Sequence, residues 1–181
     1  LWHGDPDVDA LDRYRDDVEV KGWHGGEGVT LAPGTWCPFN GQAVAFIKQL
    51  VPAMFWWQHV GRYDDIWASF LTQRVMQELG LVARWGEPLV YQRRSEHTVR
   101  DFPALVRDLE QELLGYRHED DVIELLRGVD LAGCHSVLES VARVHNEIFR
   151  YSSSDAGAWL RPVMRGFDTW LVAVRETRRF T

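Results

Sequence analysis

Gly61-Arg62-Tyr63-Asp64-Asp65-Ile66-Trp67-Ala68-Ser69-Phe70-Leu71-Thr72-Gln73-Arg74-Val75-Met76-Gln77-Glu78-Leu79-Gly80 is the stretch whose reading decides the fold. Ile66, Trp67, Phe70, Leu71, Val75 and Leu79 recur at helical spacing on one side, and Gly80 supplies a C-terminal cap, so a helix is expected from Asp64 to Leu79. Gly61 lets the preceding loop turn sharply, and Asp64 and Asp65 fall in the first helical turn. Carboxylates there interact favourably with the helix dipole, each by about 0.3–1 kcal/mol. A carboxylate held at a loop-to-helix junction can also orient or deprotonate a hydroxyl group. Arg62 can then pair with a diphosphate or fix one of the two acids.

Upstream, residues 1 to 35 are punctuated by glycine and hold only short strand-like runs, Val18 to Val20 and Val29 to Leu31. From Gly41 to Phe55 an apolar set predicts a strand running into a short helix that Pro52 stops. Downstream, Leu81 to Trp85 and Pro88 to Gln92 are rich in β-formers and predict two strands. Beyond Thr98 the spacing predicts four helices, over about 98–114, 119–127, 135–150 and 157–177. Apolar stripes on the last two, through Val141, Val144 and Ile148 and through Val163, Phe167 and Leu171, predict a packed pair, with an oligomer contact as the other use of such stripes. Ser152, Ser153, Ser154 and Asp155 offer N-cap chemistry for the final helix.

With 181 residues, 45% of them apolar, the chain can bury one real core. A formal charge of -7 and no long basic tract exclude a phosphate backbone as the natural partner, so nucleic acid is not expected. The longest apolar run, Leu50 to Trp57, is broken by Pro52 and falls far short of the roughly 20 residues that span a bilayer. Asp5, Asp7 and Asp9 stand where a signal peptide would need an apolar stretch. Cys37 and Cys134 form no CxxC, which fits a reducing compartment, and a cytoplasmic location is expected. The chain opens at Leu1, without an initiator Met and directly in a motif-like stretch, and reads as a piece of a longer protein.

Several motifs then recur in a fixed order: Leu1-Trp2, Asp5-Pro6-Asp7-Val8-Asp9-Ala10, Gly34-Thr35-Trp36-Cys37-Pro38, Pro52-Ala53-Met54, Gly61 to Ala68, and Pro88-Leu89-Val90-Tyr91. Their order and rough spacing over about residues 1–95 resemble the reversibly glycosylated polypeptides, the family that includes the UDP-arabinopyranose mutases. Beyond Thr98 the resemblance is much weaker. It implies an α/β chain: residues 1–97 as the C-terminal, acceptor half of a GT-A-like nucleotide-sugar fold, and residues 98–181 as a largely helical extension packed on it. The function so implied is a UDP-sugar-using mutase or glycosyltransferase, incomplete here and inactive as an isolated fragment. The alternative is a non-catalytic binding or assembly subunit in a hetero-oligomer; homo-oligomers are equally open.

On the resemblance, Asp64 and Asp65 would contact sugar hydroxyls or a metal-bound sugar phosphate and carry the acid-base work. Arg62, Gly61, Asn40 and Trp36 would shape the substrate pocket. A divalent metal, Mg²⁺ or Mn²⁺, is compatible with the family, its main acidic motif expected upstream of Leu1. Gln92 stands where the plant mutases carry a histidine, and the following Arg93-Arg94-Ser95-Glu96-His97 is closer to the STELLO glycosyltransferases, which makes His97 the candidate replacement ligand. Asp5, Asp7 and Asp9 match an oxygen-ligand alternation, but in the matching segment they belong to a loop, where Asp-Pro turn formation is their expected role. His118, His135 and His145 lack partners at metal-ligand spacing and read as packing or surface residues.

Overall fold

The computed structural model describes residues 3–24, 26–93 and 101–177. Five α-helices carry most of the ordered structure: α1 (Ala10–Arg15), α2 (Asp64–Glu78), α3 (Phe102–Gly128), α4 (Val137–Ser152) and α5 (Arg161–Glu176). Short 3-10 turns at Lys48–Ala53, Gly61–Tyr63 and Ala158–Leu160 lead into or between them. The β structure among the described residues is two two-residue ladders, β1 (His3–Gly4) beside β4 (Tyr91–Gln92), parallel, and β2 (Val29–Thr30) beside β3 (Arg84–Trp85), antiparallel, with an isolated antiparallel bridge between Gly4 and Val20 on the other side of β1. The fold is therefore α-rich with small sheets.

Helix α2 forms as expected, and its end is a Schellman motif: Gly80, at φ +67°, donates to Gln77 O while Leu81 N donates to Met76 O. The expected one-sided burial is corrected. Trp67 through Gln73 are buried on every side of the helix, because α3, α4 and the Lys48–Ala53 turn all pack on it. Trp57 and Trp67 meet edge to face at 5.7 Å, and Phe55 stacks on Phe167 of α5 at 4.5 Å. The Trp170 indole donates to Pro52 O at 2.9 Å, so the final helix is tied to the turn that contains Pro52.

Other expectations change. The two helices read over 98–114 and 119–127 are one continuous α3 in the described part. Gly115 does not interrupt it, since the Tyr63 ring fills the notch where a Cβ would stand. Pro52 sits inside a 3-10 turn instead of stopping a helix, and residues 42–47 form no strand among the described residues. The final helix has no side-chain cap; Ser154 Oγ instead accepts from Gly157 N, closing the turn before it. The histidines of the tail do pack: His145 Nε2 lies 2.7 Å from Asp168 Oδ1, and His118 stacks on Trp159 at 4.3 Å. Among the described residues no helix is long and apolar enough to cross a membrane.

The polar residues buried in α2 are each used. Gln73 Oε1 accepts from Cys37 N at 3.0 Å and its Nε2 donates to Cys37 O at 2.9 Å. Replacing Gln73 by Leu would strand both backbone groups, and the expected cost is about 2–4 kcal/mol, at 1–3 kcal/mol per abandoned group. Urea unfolding of Gln73→Leu against the parent chain checks this, and an unchanged midpoint would refute it.

Candidate functional site

The site grows from one face of α2. Asp65, Ser69 and Gln73 are four residues apart, so they stack along the helix. Asp65 Oδ2 accepts from Gly41 N at 2.8 Å, Ser69 Oγ from Phe39 N at 3.2 Å, and Gln73 Oε1 from Cys37 N at 3.0 Å. Four helical residues rise about 6 Å and two extended residues advance about 6.7 Å, so the spacings match and the two segments run antiparallel. Alternate peptide N–H groups of residues 37–41 are thereby fixed to the helix.

The outer side of this clamped segment is the rim of an open cavity of about 1050 Å³. Its walls are the Pro38–Ile47 segment and residues 81–90, with Asp7, Asn40 and Arg84 among the polar groups. Asn40 is thus placed in the cavity wall. Trp36 is not: it stacks on Phe70 at 6.3 Å, with the Arg127 guanidinium 5.1 Å from its ring. Asp64, Asp65, Arg62 and Gly61 stand outside the cavity lining. Asp65 reaches it one step removed, through Gly41.

The two neighbouring acids sit in different environments. Asp64 is exposed, and one of its oxygens accepts from Asp65 N at 2.8 Å. Asp65 is half-buried; loss of solvent pushes its carboxyl above the usual aspartate range, the Gly41 N–H opposes that, and the charges of Asp64 and Asp7 add to it.

Gly61 turns at φ +66° against the backbone of Gln111 in α3, where a Cβ would collide with the Gln111 carbonyl. This sets Arg62 over α3. Its guanidinium contacts neither Asp64 nor Asp65. Nη1 lies 3.2 Å from Glu112 Oε1 and 3.4 Å from Asp108 Oδ2, while Nη2 lies 3.3 Å from Asp7 Oδ1 and donates to Val8 O at 3.1 Å. Arg13 joins the same cluster through Asp108 at 3.0 Å. Glu112, only 3% exposed, also accepts from Ala10 N and the Tyr116 hydroxyl. Burial and that bond to Glu112 push the Tyr116 phenol up.

These partners of Arg62 escaped the sequence reading. The available signal was that Asp108 and Glu112 lie on the same α3 stripe as Gly115, Val122 and Leu126, an acidic pair on a burying face. Asp9 caps α1 by accepting from Asp12 N, and Asp7 is held by arginine, so the Asp5-to-Asp9 alternation serves turn and packing roles. No group of three or more His, Cys, Asp or Glu among the described residues is placed to hold a metal ion, and His97 lies outside them.

Comparison with known proteins gives the chain its relatives. No family model matches it. UDP-arabinopyranose mutase 1 of Arabidopsis thaliana is 28% identical over 182 residues, 97% of this chain and 49% of that protein. UDP-arabinopyranose mutase 3 of the same plant is 25% identical and a probable UDP-arabinopyranose mutase 1 of Solanum tuberosum 26% identical, each over 97% of this chain and 48% of its own length. Its curated homologues are thus UDP-arabinopyranose mutases, and the chain spans about half their length.

Two outcomes test the geometry. Arg62→Met leaves Glu112 buried with a lost counter-charge and is expected to cost about 3 kcal/mol, the lower end for breaking a buried pair since Ala10 N–H and Tyr116 still serve it. Asp64→Asn, at an exposed first-turn position, should cost under about 1 kcal/mol. Equal costs in urea unfolding would contradict the assignment. For Asp65, a carboxyl whose folded pKa is raised adds stability in full below the ordinary aspartate value and loses it as pH rises through the folded value. Asp65→Asn keeps an acceptor for Gly41 and cannot titrate, so its stability relative to the parent should climb between pH 3 and pH 7, roughly spanning the aspartate range. A pH-independent difference would refute the raised pKa.

Proposed function

From its homology with the UDP-arabinopyranose mutases, we propose that this chain is the sugar-handling part of a UDP-sugar mutase-type protein, built as the acceptor half of a GT-A-like domain over residues 1–97 with the helical extension beyond. The observation that carries the reading is the cavity rim clamped to α2 of the Gly61–Asp65 motif, in a chain whose homologues carry that name.

In this reading Asn40, in the cavity wall, donates and accepts hydrogen bonds to sugar hydroxyls. Asp7, held by Arg62 and Arg13, presents a carboxylate to the same space. Asp65 is a positioning residue: it fixes Gly41 and with it the Asn40 backbone. Asp64 has one oxygen engaged by Asp65 N–H and offers the other to a hydroxyl at the helix start. Arg62 fastens the Asp7 loop to α3 and has its charge met by three carboxylates, so a diphosphate is assigned to the part of the protein outside this chain. The separated 181 residues are accordingly proposed to be inactive on their own.

Titration of the protein carrying its flanking sequence with UDP-arabinopyranose, with and without Mg²⁺ or Mn²⁺, tests the proposal. Binding and ring interconversion are expected, with Asn40→Ala and Asp7→Asn each lowering kcat/KM about tenfold or more, the loss of roughly 1.4 kcal/mol of transition-state contact. Absence of binding would sink the reading. Binding with no turnover by the whole protein would move it to the non-catalytic subunit class.

A further inference from the structure

The nine tryptophans of the chain are not equally placed to meet a ligand. Trp57 and Trp67 are fully buried. Trp36 stacks on Phe70, Trp159 is covered by His118, and the Trp170 indole is engaged by Pro52 O. Trp56 packs against Gly41 outside the cavity lining, and Trp2 lies outside the described residues. Two remain, Trp23 and Trp85, both half-buried and both in the lining of the cavity. Large aromatic side chains gain most by full burial, so two indoles left partly open in one concave space point to a ligand. Local structure holds both. Trp85 is paired with Val29 of β2, and Gly28, at φ +118°, lets that segment pass where a Cβ would collide with the Trp85 carbonyl. Trp23 Nε1 donates to Gly26 O at 3.0 Å, and the Arg84 guanidinium donates to Glu27 O. The two indoles therefore reach the cavity from one fastened corner, set in place before any ligand arrives.

A glycosyl ring carries hydroxyls around its rim and C–H groups on its faces. Those hydrogens, polarised by the neighbouring oxygens, are drawn to the negative face of an aromatic ring, and the contact removes apolar surface from water on both sides. The hydroxyls need donors and acceptors, which the same cavity offers at Asn40 and Asp7. We propose that Trp23 and Trp85 are the platform on which the C–H face of the glycosyl ring of a UDP-sugar rests, while Asn40 and Asp7 take its hydroxyls. The inference rests on the UDP-sugar reading above and adds to it the residues that recognise the apolar face of the ring. The pocket-shaping part expected of Trp36 passes to these two, because Phe70 and the Arg127 guanidinium already occupy Trp36. UDP without its glycosyl group leaves the indoles uncovered, so the platform distinguishes the sugar from its carrier.

The test measures, by calorimetry, the Kd of the protein carrying its flanking sequence for UDP-arabinopyranose and for UDP. Trp23→Leu and Trp85→Leu are each expected to weaken UDP-arabinopyranose about tenfold and to leave UDP within about twofold, the loss of one stacked face. Retained UDP binding shows at the same time that the variants are folded. Trp85→Phe, which keeps an aromatic face, should recover most of the affinity that Trp85→Leu loses. Equal weakening of UDP and UDP-arabinopyranose would overturn the proposal, by making the indoles structural or nucleotide-binding. A phenylalanine variant no better than the leucine variant would overturn it too. A parent that binds UDP-arabinopyranose while both leucine variants bind it equally well loses only the platform. A parent that binds no UDP-arabinopyranose sinks the functional reading and the platform with it.

Discussion

The match in pitch between a helix and an extended segment is the constraint on which the site depends. Side chains at Asp65, Ser69 and Gln73 meet the backbone of Gly41, Phe39 and Cys37 because four residues of helix and two of extended chain cover nearly the same distance. A strand would normally obtain its partners from another strand. Here the helix supplies them with side chains, so residues 37–41 keep extended geometry while their outward edge stays available to the cavity. The polar residues in an otherwise apolar helix are therefore what place the cavity rim, and they are buried without penalty because each is satisfied.

A second fastening comes from the charges. Arg62 and Arg13 bring together acids from the N-terminal loop and from α3, positions about a hundred residues apart in the chain. Gly61 and Gly115 make that approach possible, the first by turning against Gln111 and the second by leaving room for the Tyr63 ring. The glycine, the arginine and the tyrosine of the motif thus share one task, docking the start of α2 on α3. Only its two acids remain for other work.

How much of this was legible in the sequence follows from where each partner lies. Helix α2 and its Gly80 terminus were readable because cap and periodicity are local signals. Its central position was not, since Ser69, Thr72 and Gln73 read as a solvent face until their backbone partners far along the chain are known. Asn40 lies in the cavity wall, whereas Trp36, four residues earlier, is half-buried against the core because Phe70 and Arg127 approach it from distant elements. Helix α3, read from spacing as two helices, runs through Gly115, a residue about 1 kcal/mol poorer than Ala in a helix, at the position where the Tyr63 ring packs. The family motifs were visible for the opposite reason: they are contiguous.

The adjacent acids show why a motif has to be divided before chemistry is assigned to it. Asp64 and Asp65 share a helical turn, yet one stands in water and the other is desolvated against Gly41. Desolvation favours the protonated form of Asp65, while the Gly41 N–H favours the carboxylate, and the first effect is the larger. A protonated carboxyl still has an oxygen that can accept from Gly41. The clamp therefore survives either charge state, and the proton affinity of Asp65 can respond to charge in the cavity without releasing the rim. Asp7 already acts on it in this way from the cavity wall and also accepts from Gln42 Nε2 at 3.3 Å, so charge and a hydrogen bond together link the arginine-held loop to the helix-held rim.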